Sequence, residues 1–214
     1  MTLGSGRRCI LLAAALLGSS LALAACSSIV PGSGPPPRLF TLSPKTTFDE
    51  PNLPKASFQL VVAEPTAPAS LDTVRIAVRR TPLELEYFAK TAWTDRVPGM
   101  LQTLLVSSFE NSGKIMAVGR DSIGLRADYA VQLDLRHFEA TYQDGKPRAH
   151  VEINAKLIRM PQRDIVGYTD CNYLTDAEGD TIEHVVEAFN ESLGRCMKRI
   201  VEYTLTTAKP PQQP

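Results

Sequence analysis

The cysteine at position 26 is the residue whose type and setting most clearly indicate chemistry. Arg7 and Arg8 open an apolar run that ends in Leu23-Ala24-Ala25, directly before Cys26. A basic start, a short apolar stretch and small residues before a cleavage point are typical of a secretory signal peptide. The apolar run is about 15 residues long, short of the roughly 20 that a membrane-spanning helix needs. The sequence therefore predicts that residues 1–25 are removed on export.

The four residues Leu23-Ala24-Ala25-Cys26 resemble the bacterial lipobox, in which the cysteine thiol is acylated and becomes the mature N-terminus. We expect S-diacylglycerol and an N-acyl chain such as palmitate on Cys26, because stable anchoring takes more than one acyl chain. Ser27 follows Cys26, where an aspartate would resemble an inner-membrane retention signal. We therefore expect the periplasmic face of an outer membrane. The alternative is an ordinary signal peptide that happens to precede a cysteine.

The composition is that of an ordinary folded domain without a strong overall charge. The 214 residues include 23 Lys and Arg and 23 Asp and Glu, so no basic field for nucleic acid is predicted. After the signal peptide we expect a lipidated tether rich in Pro and Gly at 26–37, one folded domain at 38–207, and a disordered tail at 208–214.

Two cysteines remain for the folded domain, since Cys9 leaves with the signal peptide and Cys26 carries lipid. An even number of thiols in an oxidising compartment favours a disulfide between Cys171 and Cys196. Such a bond would close a loop of about 25 residues and contribute roughly 3–4 kcal/mol in the chain-entropy model. The alternative is two separate buried thiols.

Alternation of apolar and polar residues predicts the sheet. A long hairpin turns at Asp144-Gly145, and a third strand at 164–174 extends the hairpin to a three-strand meander. Shorter strands are predicted at 38–42, 58–62, 74–78, 83–88 and 115–118.

Two helices are predicted from apolar residues at helical spacing. The first covers about 95–110 and stops at Gly113; the second covers about 181–206, with Asp180 as its cap and Glu183 completing a capping box. The sequence therefore predicts an α+β fold in which a mostly antiparallel sheet, including the meander, is packed on one face by two helices, the C-terminal one long.

Catalytic signatures are missing from the sequence, which has no nucleophile elbow, zinc-protease motif, phosphate loop or Cys-x-x-Cys pair. His137 and His150 lie on paired strands, but strict alternation places His137 on the apolar face with Leu135 and His150 on the wet face. They could share a metal ion only if a bulge shifted one of them. We therefore predict neither an enzyme nor a metal site, and we expect His184 to be solvated or capping.

The wet face of the predicted hairpin carries charged residues. Asp134 and Lys156 are near opposite for a turn centred on Gly145 and can form an ion pair, which at the surface contributes only about 0–1 kcal/mol. The face is either simply solvated or a subunit contact.

Three aromatic residues, Tyr87, Phe88 and Trp93, gather at the junction between a strand and the first helix. Aromatic side chains at such a junction either belong to the core or anchor a partner, because Trp and Tyr are enriched at interface hot spots. Both alternatives stay open, and we retain the three residues as candidates for partner contact.

This junction also carries a family resemblance. Leu85, Tyr87, Phe88, Trp93, Asp95 and Pro98, ahead of an amphipathic helix, resemble the ABC-type transport auxiliary lipoprotein family. Residues 38–42, the stretch 128–145 and the long C-terminal helix are similar to the opening, central hairpin and last helix of that family. One departure is the Ala89-Lys90-Thr91-Ala92 stretch, where we expect more polar residues.

The resemblance implies a non-enzymatic role. Lipoproteins of this kind are associated with MCE-type lipid transporters, including the paraquat-inducible type, and support envelope integrity. The resemblance implies an outer-membrane docking subunit that meets an MCE-domain protein, with contact to phospholipid and assembly into a ring as further expectations. The alternative is a structural or assembly lipoprotein of secretion or lipopolysaccharide machinery that transfers no lipid.

Overall fold

The computed structural model describes residues 35–50, 52–121, 124 and 126–210. The predicted signal peptide, Cys26, most of the predicted tether and the last four residues of the predicted tail lie outside the described residues. All the elements described below lie in one unit that begins at Pro37.

The described part of the chain holds nine strands and two helices, and the predicted α+β class is confirmed. Their order is β1 (Arg38–Phe40), β2 (Leu60–Val62), β3 (Ala77–Thr81), β4 (Glu84–Tyr87), β5 (Thr91–Trp93), α1 (Val97–Asn111), β6 (Val118–Arg120), β7 (Tyr129–Gln143), β8 (Lys146–Arg159), β9 (Asp164–Asp176) and α2 (Ile182–Thr207).

The predicted meander dominates the sheet. Strand β7 pairs antiparallel with β8, and β8 pairs antiparallel with β9. The turn between β7 and β8 uses Asp144 at φ 51° and Gly145 at φ 77°. Two successive left-handed residues match a type I′ hairpin turn, whose twist agrees with that of the strands it joins. The Asp-Gly pair therefore sets the hairpin as predicted.

The shorter strands make the sheet mixed. Strand β2 lies parallel to both β6 and β7, and β3 lies parallel to β7 while pairing antiparallel with β4. Strands β1 and β5 form a separate parallel pair. The strand predicted at 74–78 begins only at Ala77, because Val74 and Ile76 instead accept backbone hydrogen bonds from Trp93 and Phe88.

The two helices cover one face of the sheet. Helix α1 begins next to Pro98 and stops before Gly113, whose φ of 63° is left-handed. Helix α2 packs its apolar face on β8 and β9 and also meets α1. The cap of α2 is Thr181, which accepts from the His184 backbone N–H, and not Asp180 as predicted. The predicted boundary was one residue early because both residues are good helix caps.

The centre of the core lies between the sheet and the helices. The rings of Trp93, Phe138 and Phe189 contact one another with centroid separations of 5.0–5.8 Å. Each of the three side chains is at most 1% exposed. Aromatic groups at these distances stabilise a core beyond the area that they bury.

A disulfide joins Cys171 of β9 to Cys196 of α2, as the sequence predicted. Their Cα atoms are 5.4 Å apart, and both residues are buried, at 2% and 0% exposure. The bond therefore attaches the long helix to the edge strand of the meander.

Candidate functional site

A β-bulge in β7 rearranges the face of the sheet that points away from α2, which we call the open face of the meander. Leu135 pairs with Ile153, but His137 pairs with Glu152, so β7 has one extra residue between these two pairs. An extra residue reverses which side chains point inward from there on. Phe138 is accordingly buried at 1% exposure, and His137 lies on the open face.

The prediction that His137 and His150 lie on opposite faces is therefore wrong. Their rings stack with centroids 4.3 Å apart and an interplanar angle of 16°. The prediction depended on strict alternation along β7, and the bulge breaks that alternation just before His137. Glu139, two residues further on, pairs directly with His150 in the strand register.

Glu139 is a carboxylate at the edge of the core, with a side chain only 1% exposed. Its Oε1 lies 2.7 Å from His137 Nδ1 and 3.2 Å from Arg79 Nε. Its Oε2 accepts from the backbone N–H of Phe138 at 2.8 Å. These contacts compensate the cost of removing a charge from water, which would otherwise be several kcal/mol.

His150 is oriented by a short hydrogen-bond chain. Its Nε2 lies 3.0 Å from Asn172 Oδ1, and Asn172 Nδ2 donates to Glu152 Oε2 at 2.7 Å. Because the amide oxygen can only accept, His150 Nε2 carries the proton and Nδ1 keeps its lone pair. Burial lowers the pKa of His150 below its ordinary value, and repulsion from His137 lowers it further. Both effects favour the neutral imidazole.

We call His137, Glu139, His150, Glu152 and Asn172 the bulge cluster. One ligand atom from each of His137, Glu139 and His150 lies within 4.8 Å of the other two. Two imidazoles and a carboxylate can bind a metal ion or exchange a proton. Strict alternation along β7 hides this set in the sequence. His137 and Glu139, two positions apart and opposite a strand that carries His150, are the signal that could have revealed it.

The predicted candidates for partner contact separate in the structure. Trp93 is 1% exposed and packs in the core. Of the two alternatives, core position and partner contact, the structure shows the core position for Trp93. Tyr87 and Phe88 are half-buried at the surface of the core. The Tyr87 hydroxyl donates to the Ser70 carbonyl at 3.0 Å, and the Arg75 guanidinium lies 3.6 Å from its ring centroid. Partner contact through Tyr87 and Phe88 stays a prediction.

The predicted ion pair on the open face has a different partner. The register places Asp134 opposite Asn154, and Lys156 opposite Gln132. Asp134 instead meets Arg136, with 3.4 Å between Oδ2 and Nε. The prediction counted residues from a turn centred on Gly145. The hairpin turns between Asp144 and Gly145, which shifts the partner of Asp134 by one residue, and the bulge shifts it by one more, to Asn154.

Two open clefts lie elsewhere on the described surface. One, of about 570 Å³, runs between α2 and Asp49-Glu50 and is lined largely by charged and polar side chains, including Lys198 and Glu202. The other, of about 590 Å³, lies beside Tyr129, whose hydroxyl donates to the Lys209 carbonyl at 3.0 Å.

Neither helix that the structure describes combines the length and apolar composition needed to cross a bilayer.

Comparison with known proteins places this fold in a family. The family model of the ABC-type transport auxiliary lipoprotein component matches residues 40–201, more than half of the 214-residue chain. The chain belongs to this family. The match runs from the end of β1 into the last turns of α2, so it includes the meander, the bulge and both helices of the auxiliary lipoprotein. This protein is therefore an auxiliary lipoprotein component of ABC-type transport systems. The family is the one that its sequence motifs resemble.

The chain is also similar to solved structures and to a curated relative. The crystal structure of protein XCC0632 from Xanthomonas campestris is 33% identical, with a TM-score of 0.74, covering 79% of this chain and 95% of that chain. A crystal structure of an uncharacterized protein, 13% identical with a TM-score of 0.62, covers 79% of this chain and 99% of its own and shows the shared fold.

The curated relative is the uncharacterized protein bll6063 of Bradyrhizobium diazoefficiens. It is 29% identical over 179 residues, which are 81% of this chain and 47% of the relative. The auxiliary lipoprotein therefore spans about half the length of this relative.

Proposed function

We propose that this protein is a non-enzymatic docking subunit of an MCE-type ABC transporter that moves lipid between the inner and outer membranes. The proposal holds that acylated Cys26 anchors the protein to the periplasmic face of the outer membrane, and that the folded domain meets the MCE-domain protein. The observation that carries the proposal is the family match over residues 40–201 directly downstream of a lipobox and a Pro-rich tether.

The chemistry of the described surface supports docking rather than lipid storage. An acyl chain released from a bilayer needs an apolar enclosure, because each exposed methylene costs about 0.8 kcal/mol. The two clefts described above are open and lined largely by charged and polar side chains. Neither of these two clefts is such an enclosure, which favours a docking role for this protein.

The segment proposed to contact the partner is the surface around Tyr87 and Phe88. Strand β4 is an edge strand, since in the described sheet it pairs only with β3. Leu83, just before β4, is 98% exposed. Two half-buried aromatic rings at one end of an edge strand, with an exposed apolar side chain in the turn at its other end, are suited to a protein contact.

Photocrosslinking of the full-length acylated protein in its host would test the proposal. Benzoylphenylalanine is placed at Tyr87 or Phe88, and at Tyr168 as the control, since Tyr168 is an aromatic residue on β9 with 66% exposure. We expect adducts with an MCE-domain protein from positions 87 and 88 and not from 168. An MCE adduct from 168 alone would contradict the contact surface, and adducts only with secretion or lipopolysaccharide components would favour the assembly alternative.

A further inference from the structure

We propose that His137, Glu139 and His150 form a binding site for a divalent transition-metal ion of the zinc class. Two imidazoles and one carboxylate are a ligand set that zinc uses when one coordination position is left for water or another donor. Imidazole nitrogen and carboxylate oxygen are also ligands for the neighbouring first-row metals, so the donor set selects a class of ion. This site is independent of the docking role proposed above.

The three donors are already close to the spacing that a metal ion requires. A tetrahedral ion with bonds of about 2.0–2.1 Å holds its ligand atoms roughly 3.3 Å apart. His137 Nδ1 and Glu139 Oε1 are 2.7 Å apart, and all three ligand atoms lie within 4.8 Å of one another. A bound ion would replace the proton between His137 and Glu139, and His150 would need to move by only an ångström or two.

The backbone under the donors is held in place while the rings can adjust. His137 and Glu139 lie on β7, and His150 lies on β8 directly opposite Glu139. The side chains of His137 and His150 are 37% and 15% exposed, which leaves room for the stacked rings to tilt toward one ion. The bulge puts the two histidines on the same face, and it is therefore the structural feature that creates the site.

The hydrogen bonds behind His150 match those behind metal-binding histidines. A ligating imidazole commonly donates its other N–H to a carbonyl or carboxylate, which sets the tautomer and the direction of the lone pair. His150 Nε2 donates to Asn172, and Asn172 donates in turn to Glu152. This chain leaves the lone pair of His150 on Nδ1, the nitrogen that is then available to an ion.

Arg79 is the group that opposes the ion. Its Nε lies 3.2 Å from Glu139 Oε1, the oxygen that also faces His137. A guanidinium at this distance repels a cation and competes for the carboxylate. Glu152 adds a second carboxylate, whose Oε2 lies 4.0 Å from His150 Nε2. Arg136 also opposes the ion, since its Nη1 lies 3.5 Å from Glu152 Oε1. The two carboxylates and the two guanidiniums balance, so binding would depend on the three donor atoms.

The test is a zinc titration of the full-length protein, produced without a histidine tag, purified in detergent and freed of metal with a chelator. Calorimetry should give one Zn²⁺ per chain, and Co²⁺ should give the visible absorption bands of a tetrahedral site. His137→Gln and His150→Gln should each lower zinc affinity at least tenfold. His184→Gln is the matched control, because His184 lies in the first turn of α2 and is not one of the three donors. The zinc affinity of this variant should equal that of the wild-type protein.

A second variant keeps the test decisive if the histidine variants unfold. Asn172 is exposed, so Asn172→Ala should leave the fold intact and lower zinc affinity on the order of tenfold by releasing His150. The proposal would be overturned if the wild-type protein bound no zinc. It would also be overturned if zinc affinity were the same in a folded His137→Gln/His150→Gln double variant, since that binding would belong to groups outside the proposed site.

Discussion

At the scale of single residues, the side chain of Trp93 shows how this domain uses its aromatic residues. Trp93 belongs to the short strand β5, but its ring reaches Phe138 of β7 and Phe189 of α2. The three aromatic residues of the junction that carries the family resemblance are therefore buried to different depths. Trp93 packs in the core where β5, β7 and α2 meet, and Tyr87 and Phe88 lie nearer the surface.

Trp93→Ala should destabilise the domain strongly. Removing a fully buried indole loses its burial energy and leaves a cavity, at a cost of about 3–5 kcal/mol. Denaturant unfolding followed by circular dichroism measures this loss. Leu83→Ala is the control, because Leu83 is 98% exposed and such a change stays within about 0.5 kcal/mol. Equal effects of the two substitutions would contradict the central position of Trp93.

At the scale of elements, two features hold the meander and the long helix together. The Asp144-Gly145 turn sets the register of β7 against β8, and the disulfide attaches α2 to β9. Strand β9 pairs only with β8 within the described sheet. The disulfide therefore ties this edge strand, which has no strand on its other side in the described structure, to the helix that packs against it.

Loss of the disulfide should lower the free energy of unfolding by about 3 kcal/mol. The bond closes a loop between residues 25 positions apart, and without it the unfolded chain gains conformational freedom. The comparison is the wild-type protein against a Cys171→Ala/Cys196→Ala double variant, by thermal unfolding with and without dithiothreitol. The reductant should lower the melting temperature of the wild-type protein only. An effect of equal size on the double variant would show that the reductant acts elsewhere.

Two glycine substitutions should change stability in opposite directions. Gly145 has a φ of 77°, so Gly145→Val forces a branched residue into the left-handed region at a cost of about 1–2 kcal/mol. Gly194 lies within α2, and a Cβ added there meets only Lys45 Cδ at 3.9 Å. Gly194→Ala should therefore stabilise the helix by up to about 1 kcal/mol. Urea midpoints measure both changes, and a neutral Gly145→Val would contradict the type I′ turn.

At the scale of the whole molecule, the expected arrangement is a folded domain connected to a lipid by a tether. Of the 23 Lys and Arg, Arg7 and Arg8 leave with the predicted signal peptide, so 21 remain against 23 Asp and Glu. Non-specific attraction to an anionic membrane is therefore not expected to hold the domain there. Attachment should then depend on the acyl chains alone.

Cys26→Ser should release the protein from the membrane without unfolding it. The substitution removes the acylated thiol, while the described domain begins beyond the Pro-rich stretch. Fractionation of the host envelope should move the variant to the soluble periplasmic fraction, with an unchanged melting temperature. Ser27→Ala is the control and should remain membrane-bound. Retention of Cys26→Ser in the membrane at high salt would mean that a second membrane element exists.

The sequence by itself determined the features that depend on local periodicity. The meander, both helices, the Asp144-Gly145 turn and the Cys171–Cys196 pairing follow from alternation, helical spacing, left-handed turn residues and an even cysteine count. Each of these signals lies within a few residues or in a simple count, so tertiary contacts are not needed to see them.

Only the tertiary structure decided the bulge, the parallel placement of β2 and β3 beside β7, and the depth of Trp93. One extra residue after Leu135 is invisible to a pattern of alternation, because Phe138 and His137 are both acceptable next inward residues until β8 and the core select one. The buried space filled by Phe138 makes that selection, and it carries His137 to the same face as His150. The long-range packing of an aromatic ring therefore created the bulge cluster.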